Sequence, residues 1–274
     1  MQITPITPLF GAFIRGVDLS ATDVSSAIIN EIKSLVHKYR LVIFKDQGKV
    51  SAENQLRCSK WFGVVEATFY KHPKSPHPDI FRVSNDEDEG CTNVGRSGWH
   101  IDGSFLPLPF KVQTMTFWSV SERGSTLFAP LKETVESLPE AKRAEWESLW
   151  FVGKGRSGVV HPLVCRHPMT GDKTLCFHCG EPFVEAFAVN MTPSNQAEDV
   201  YDWAQTTAVL RELSQRLEDP ARMYEHQWEL GDFAMIDNLA VAHYAHPDTQ
   251  AKPGDGGLRV LHRTTVAGSC APAK

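Results

Sequence analysis

Several things are scarce or missing in this chain of 274 residues, and each absence narrows the possibilities. No apolar run approaches the length of a membrane span. The N-terminus, Met1-Gln2-Ile3-Thr4-Pro5, has neither a charged start nor an apolar core, so no secretory leader is expected. No basic block or stripe occurs, and the formal net charge is -5, which argues against nucleic acid as a partner. Only six cysteines are present, scattered from Cys58 to Cys270. That fits reduced thiols and a cytoplasmic protein rather than a disulfide framework. No internal repeat or linker divides the sequence, so one domain over residues 1–274 is expected. The composition is that of an ordinary globular chain, 42% hydrophobic and 22% charged.

What is present is a pattern of strands interrupted by helices. Residues 1–20 alternate around Gly11 and Gly16 and predict a hairpin. Asp23 is a candidate cap for a helix over 24–39, with Val24, Ile28, Ile32, Leu35, Val36 and Tyr39 on one face. Leu41–Phe44 predicts a buried strand, and Ser51 opens a second helix that runs to about Trp61. Residues 64–98 are loop-rich, with Ile80–Val83 as their one strand-like piece, and are expected to form a lid. Strands are expected at 111–120, 158–164, 173–178, 222–230, 232–237 and 258–267. Helices are expected at 131–137, 140–149 and 197–217, the last with Trp203, Thr207, Leu210, Leu213 and Leu217 inward. The pattern predicts an α+β fold: a double-stranded β-helix (jelly-roll) core with flanking helices and a helical insertion over 131–217.

Two stretches carry chemistry. In Trp99-His100-Ile101-Asp102, an extended backbone would put His100 and Asp102 on one face. An imidazole and a carboxylate so placed are two of the three ligands of a 2-His-1-carboxylate site, although His-x-Asp also occurs by chance. In Arg259-Val260-Leu261-His262-Arg263, a strand would put both arginines on one face. Facing inward, they would need anionic partners; facing outward, they would be ordinary surface charges around a buried Leu261. The other histidines read as bland: His246 would point away from His243, and His161, His167, His178 and His226 lack ligand-spaced partners. Cys176 and Cys179 read as packed cysteines rather than a zinc site.

Taken together, Trp99-His100-Ile101-Asp102, Gly124-Ser125-Thr126-Leu127-Phe128, Asp237-Asn238 with His243-Tyr244-Ala245, and Arg259 to Arg263 resemble the taurine dioxygenase-like family of Fe(II)/2-oxoglutarate-dependent oxygenases. Gly16-Val17-Asp18-Leu19 fits as well, and the pieces occur in family order across almost the whole chain. The resemblance implies that His100, Asp102 and His243 hold Fe(II). It implies that Arg259 and the Thr126 hydroxyl grip the distal carboxylate of 2-oxoglutarate, and that Arg263 faces the primary substrate. O2 is then the oxidant, and Asp102 sets the chain apart from related halogenases, which lack that carboxylate. His243 and Arg259 are 16 positions apart, longer than the family pattern, with the excess in the turn 249–257. A shifted alignment would place Arg263 on 2-oxoglutarate instead.

Arg96, Tyr70, Phe105 and Thr68 (next to Phe69) are further candidate substrate contacts. The expected substrate is a small anion: a carboxylate, a sulfonate or an amino acid derivative. A homo-oligomer stays open. Two alternatives remain at this stage. A non-catalytic metal-binding barrel would bind metal without decarboxylating 2-oxoglutarate. A zinc metallohydrolase would need no O2 and would leave Thr126 and the arginines without a role.

Overall fold

The computed structural model describes residues 1–68, 70–154, 158–191 and 196–274. Strands β1 (Gln2–Pro5) and β2 (Ala12–Arg15) pair as the expected hairpin. Helix α1 (Ser26–Tyr39) is capped by Ser25 rather than Asp23: the Ser25 hydroxyl accepts the Ile28 amide, one of the donors that a helix start leaves unpaired. Its buried stripe is Ile32, Leu35 and Val36, while Ile28 is exposed. Next come the buried strand β3 (Leu41–Phe44) and helix α2 (Ala52–Lys60), capped by Ser51. The loop-rich segment 64–98 contributes the strand β4 (Phe81–Ser84). Its start is also tied down, since Glu66 N–H donates to the Thr265 carbonyl.

Strands β5 (Val112–Ser119) and β6 (Thr126–Pro130) precede the insertion. That insertion is not purely helical. Helices α3 (Leu131–Glu136) and α4 (Glu140–Ser148) lead into β7 (Leu149–Gly153), β8 (Val160–Pro162), β9 (Val164–Arg166), β10 (Lys173–Leu175), β11 (Val184–Val189) and β12 (Asp199–Val200). These strands form a four-stranded sheet, β12-β11-β7-β8, and the pair β10-β9. Helix α5 (Trp203–Leu217) starts later than the periodicity predicts, at a capping box of Asp202 and Gln205. Its buried face is Thr206, Val209, Leu210, Leu213 and Leu217. Trp203 is exposed, and Thr207 bonds back to the Trp203 carbonyl.

The chain closes with β13 (Tyr224–His226), β14 (Phe233–Asp237), β15 (Val241–Ala245) and β16 (Val260–Val266). Seven strands make the larger sheet, in the order β1-β2-β3-β14-β5-β16-β4, and β13-β6-β15 make the smaller one, giving the expected jelly roll. Alternation sorts the side chains. Ile43, Ala234, Ile236, Met115, Phe117 and Leu261 pack in one cluster with Phe128 and Val241 of the smaller sheet. Val42, Phe44, Phe233 and Met235 pack in another with Ile32, Leu35 and Val36 of α1. Strand β16 is buried along its whole length: Thr264 meets Thr114 of β5 and Ser59 of α2 through hydroxyl hydrogen bonds of 2.7 and 2.6 Å. Among the described residues, no helix is long and apolar enough to cross a membrane.

Candidate active site

His100 lies at the end of the smaller sheet. Its amide donates to the His243 carbonyl at 3.2 Å, and the His243 amide donates back at 3.0 Å. The two histidines are therefore an antiparallel backbone pair. His100 Nδ1 bonds to the Gly98 carbonyl at 2.8 Å, which leaves Nε2 free to ligate. Asp102 is not in a strand but in the turn that follows, a departure from the extended reading. Asn238 holds it there: its Oδ1 accepts the Asp102 amide at 2.8 Å, and its Nδ2 donates to the Asp102 carbonyl at 3.0 Å. The neighbouring Gly103 has φ +76, and a Cβ there would lie 2.9 Å from the Phe110 ring, so only glycine fits.

One ligand atom from each of His100, Asp102 and His243 lies within 4.8 Å of the others. Nε2 of His100 is 3.8 Å from Asp102 Oδ1, and Nε2 of His243 is 3.7 Å from Asp102 Oδ2. Burial, then the neighbouring His100, push the His243 imidazole down to about 3. Burial also lowers His100. Burial alone would raise Asp102, but Arg263, His243 and His100 hold it below the usual carboxylate value. Two neutral imidazoles and one carboxylate are the forms that ligate a metal. Asp102 Oδ2 is buried without a well-aligned hydrogen bond; its one close partner is Arg263 Nη1 at 2.8 Å, which leaves a lone pair that a divalent cation would take. The Gln113 amide sits 3.3 Å from His243 Nδ1, and its Oε1 is otherwise unpartnered. Turning that oxygen to Nδ1–H leaves the His243 Nε2 lone pair for the metal. Among the described residues this is the one group of its kind, and Cys176 and Cys179 build no second one.

The two arginines do share a face. Arg259 lies with its guanidinium 4.8 Å from the centre of the Phe117 ring, and Arg263 lies 5.0 Å from that of Phe81. Arg259 is 3% exposed and, among the described residues, has no carboxylate partner; its Nε donates to the Gly124 carbonyl at 3.3 Å. Gly124 is two residues before Thr126, whose Oγ1 accepts the Trp228 indole N–H at 2.9 Å. With that lone pair engaged, the Thr126 hydroxyl hydrogen is free to donate. A buried guanidinium and a free hydroxyl donor suit a carboxylate. Arg263 Nη1 lies 2.8 Å from Asp102 Oδ2 and 3.1 Å from Oδ1.

A cavity of about 280 Å³ opens beside the triad, lined by Thr68, Tyr70, His100, Asp102, Phe105 and Arg263 among others. Tyr70 stacks on Phe81 at 4.9 Å. Thr126, Arg259 and His243 do not line it. Nor does Arg96, which is exposed and donates to Asn93 Oδ1, so solvent and a loop partner hold its charge away from the cavity. Phe69 lies outside the described residues. The single-residue reading missed His178, which lines the cavity and stacks on His100 at 4.6 Å. It also missed Trp228 and Gln113, and held Asn238 only as part of a motif; all three orient groups of the site. The alternation Cys176-Phe177-His178 was the local signal for His178; its position against His100 is a long-range contact. His167 and His226 instead pair with the buried Asp237 and Asp232.

Comparison with known proteins agrees with this geometry. The family model described as taurine catabolism dioxygenase TauD, TfdA family matches residues 2–265. An alpha-ketoglutarate-dependent sulfate ester dioxygenase from Pseudomonas putida is 26% identical over 98% of this chain and 90% of its own. An (S)-phenoxypropionate/alpha-ketoglutarate-dioxygenase from Sphingobium herbicidovorans is 26% identical over 97% and 95%. The crystal structure of a taurine dioxygenase from Burkholderia xenovorans superposes with a TM-score of 0.78 at 26% identity, covering 99% of this chain and 92% of that one. The same fold is seen at 23% identity and a TM-score of 0.75 in AAD-2, solved with Mn(II) and N-oxalylglycine. The chain belongs to the TauD, TfdA family and is a dioxygenase that depends on Fe(II), 2-oxoglutarate and O2.

Proposed function

We propose that the enzyme oxidises an unactivated C–H bond of a small, singly charged anion, with hydroxylation as the default outcome. In that reaction O2, 2-oxoglutarate and the substrate C–H give succinate, CO2 and the substrate C–OH; desaturation or ring closure would differ only in the fate of the substrate radical. His100, Asp102 and His243 hold Fe(II), which with 2-oxoglutarate supplies the oxidant when bound. Arg259 and Thr126 bind the distal carboxylate of 2-oxoglutarate. Arg263 meets the substrate's anionic group, and the rings of Phe105 and Tyr70 flank the substrate and exclude water.

The observation that carries this reading is Arg263, a buried cation that lines the cavity at the edge of the triad. With a divalent metal, Asp102, a dianionic co-substrate and two arginines, the site is left with one positive charge, which a singly charged substrate cancels. The relatives named above act on sulfate esters and phenoxypropionate, both anions of this kind. A zinc hydrolase would leave Arg259 buried without an anion, and a purely binding barrel would not decarboxylate 2-oxoglutarate. The test is an anaerobic titration with Fe(II) and then 2-oxoglutarate, followed by decarboxylation assays with alkyl sulfates and aryloxyalkanoates. Arg263→Ala is expected to raise the substrate KM at least tenfold with little change in 2-oxoglutarate affinity. A metal-bound protein with no charge-transfer band, or an unchanged substrate KM in Arg263→Ala, would sink the reading.

A further inference from the structure

His178 is used by nothing assigned above, yet it is 3% exposed and lines the same cavity as Arg263. Its ring is held on both faces. It stacks on His100 at 4.6 Å and 13°, and on Phe183 at 4.1 Å and 27°. Phe183 stacks in turn on Phe105 at 5.1 Å. Four rings thus form a continuous wall that ends at a residue of the triad, and all four line the cavity.

Rotation of the imidazole within its plane is fixed as well. The Gly180 amide donates to His178 Nδ1 at 2.8 Å. A nitrogen that accepts an amide hydrogen carries none itself, so the ring is neutral and its hydrogen is on Nε2. The turn that supplies this amide is packed tightly against the approach to His100. A Cβ on Gly180 would lie 2.5 Å from Ser97 Cβ, and one on Gly98 would lie 3.0 Å from Cys179 Cβ. The two glycines let the backbones meet, and that meeting sets the tautomer. No described residue accepts from His178 Nε2, and the atom is not among the fully buried orphans of the protein. Nε2–H is thus open to the cavity that His178 lines, where an acceptor that enters can take its hydrogen. Metal ligation by His178 is ruled out by the same tautomer, since Nδ1 is engaged and Nε2 is protonated.

We propose that His178 is a substrate-contacting, specificity-determining residue, whose Nε2–H holds an acceptor oxygen of the substrate beside His100. This rests on the anionic-substrate reading above. Arg263 reaches the cavity beside Asp102 and His178 beside His100, so one charged and one neutral donor read the substrate at two points. Two fixed points orient a small molecule, and orientation decides which C–H bond faces the metal. The substrate that fits is an oxyanion with a second acceptor oxygen, either on the same head group or in an ether or ester link next to it. Such a site rejects analogues that lack that oxygen, because they leave Nε2–H unpaired.

The test compares His178→Phe, which keeps a stacking ring but has no donor, with His178→Gln, which keeps an N–H donor without the ring. Imidazole 15N NMR of the metal-free protein, with the His178 signal assigned by its loss in His178→Phe, is expected to show hydrogen on Nε2; hydrogen on Nδ1 would overturn the proposal. Hexyl sulfate and 2-phenoxypropionate are then titrated anaerobically into the Fe(II)–2-oxoglutarate enzyme, and the shift of the charge-transfer band is followed. Binding of the probe that wild type takes is expected to weaken at least tenfold in His178→Phe and less than threefold in His178→Gln, with 2-oxoglutarate affinity moved less than threefold in both. Equal probe affinity in wild type and His178→Phe would overturn the proposal, as would a parallel loss of probe and 2-oxoglutarate binding in both variants, which marks a merely structural role. A wild-type protein that shows the band but binds neither probe removes the anionic-substrate reading and this role with it. A wild type without the band removes the assignment of the site itself.

Discussion

Arg259 should make the ligand-free protein less stable and the 2-oxoglutarate complex tighter, so one substitution is expected to move the two in opposite directions. In the folded chain its guanidinium is 3% exposed, lies against Phe117 and donates from Nε to a single carbonyl. Burial pushes it from 12.5 down to about 10. At roughly 1.4 kcal/mol per pH unit, that burial costs the ligand-free protein about 3 kcal/mol. The Phe117 contact returns about 1 kcal/mol of it. Arg259→Met fills similar space with an apolar, adaptable side chain and removes both contributions, a net gain of about 2 kcal/mol. For a chain of this size that is a rise in Tm of roughly 3–4 °C. With 2-oxoglutarate present that advantage disappears. Losing a buried, hydrogen-bonded charge pair costs about 2–5 kcal/mol, at least a thirtyfold weaker Kd. Wild type at a hundred times its Kd gains about 2.7 kcal/mol from the ligand, and the variant less than about 1 kcal/mol. The assay is a thermal scan with Mn(II), with and without 2-oxoglutarate. If Arg259→Met melts below wild type without ligand and gains as much from 2-oxoglutarate, the reasoning is refuted.

Two other substitutions test groups behind the site. Trp228→Phe keeps a ring against Phe117 but removes the donor to Thr126 Oγ1; at about 0.5–1.5 kcal/mol for one hydrogen bond, 2-oxoglutarate affinity should fall about three- to tenfold, and the double variant with Thr126→Val should lose less than the sum. An additive double variant, measured by anaerobic titration, would contradict the shared role. Burial alone would raise Asp237, but His167 at 3.0 Å and His37 at 3.1 Å hold it below 3.8. The folded state therefore binds fewer protons there than the unfolded chain, and the stabilisation is full above pH 3.8 and lost as pH falls through the folded value. Denaturant unfolding of Asp237→Asn against wild type should show its widest stability gap near neutrality and a narrower one in acid; a gap constant from pH 7 to pH 3 would count against it.

The sequence made legible whatever depends on local order. His-x-Asp put two candidate ligands two residues apart, and a turn rather than a strand still brought them together, because Asn238 fixes the Asp102 backbone. The alternation in Arg259-Val260-Leu261-His262-Arg263 placed both arginines, one just before β16 and one within it, on one face, where Phe117 and Phe81 receive them. Helix faces were less secure. Moving the start of α5 to the Asp202 capping box exchanged Trp203 and Thr207 for Thr206 and Val209 as buried residues. Strands β7 and β11 inside the insertion escaped notice: they pair with each other across the intervening β8, β9 and β10, with no hairpin turn between them to mark the pairing. Arg96 shows the opposite error. Nearness in sequence to His100 suggested a role, but the intervening turn carries it to solvent. His178 was hidden because its significance is the ring it stacks on, 78 residues earlier.

The backbone pairing of His100 with His243 also bears on how the protein is made. The two candidate ligands hydrogen-bond to each other across about half of the chain's length, and such non-local contacts form late because loop closure must precede them. Once formed, the pair holds both rings in place before any metal arrives. Little ordering entropy is then left for the metal to overcome. A metal bound there would stabilise the finished barrel by mass action.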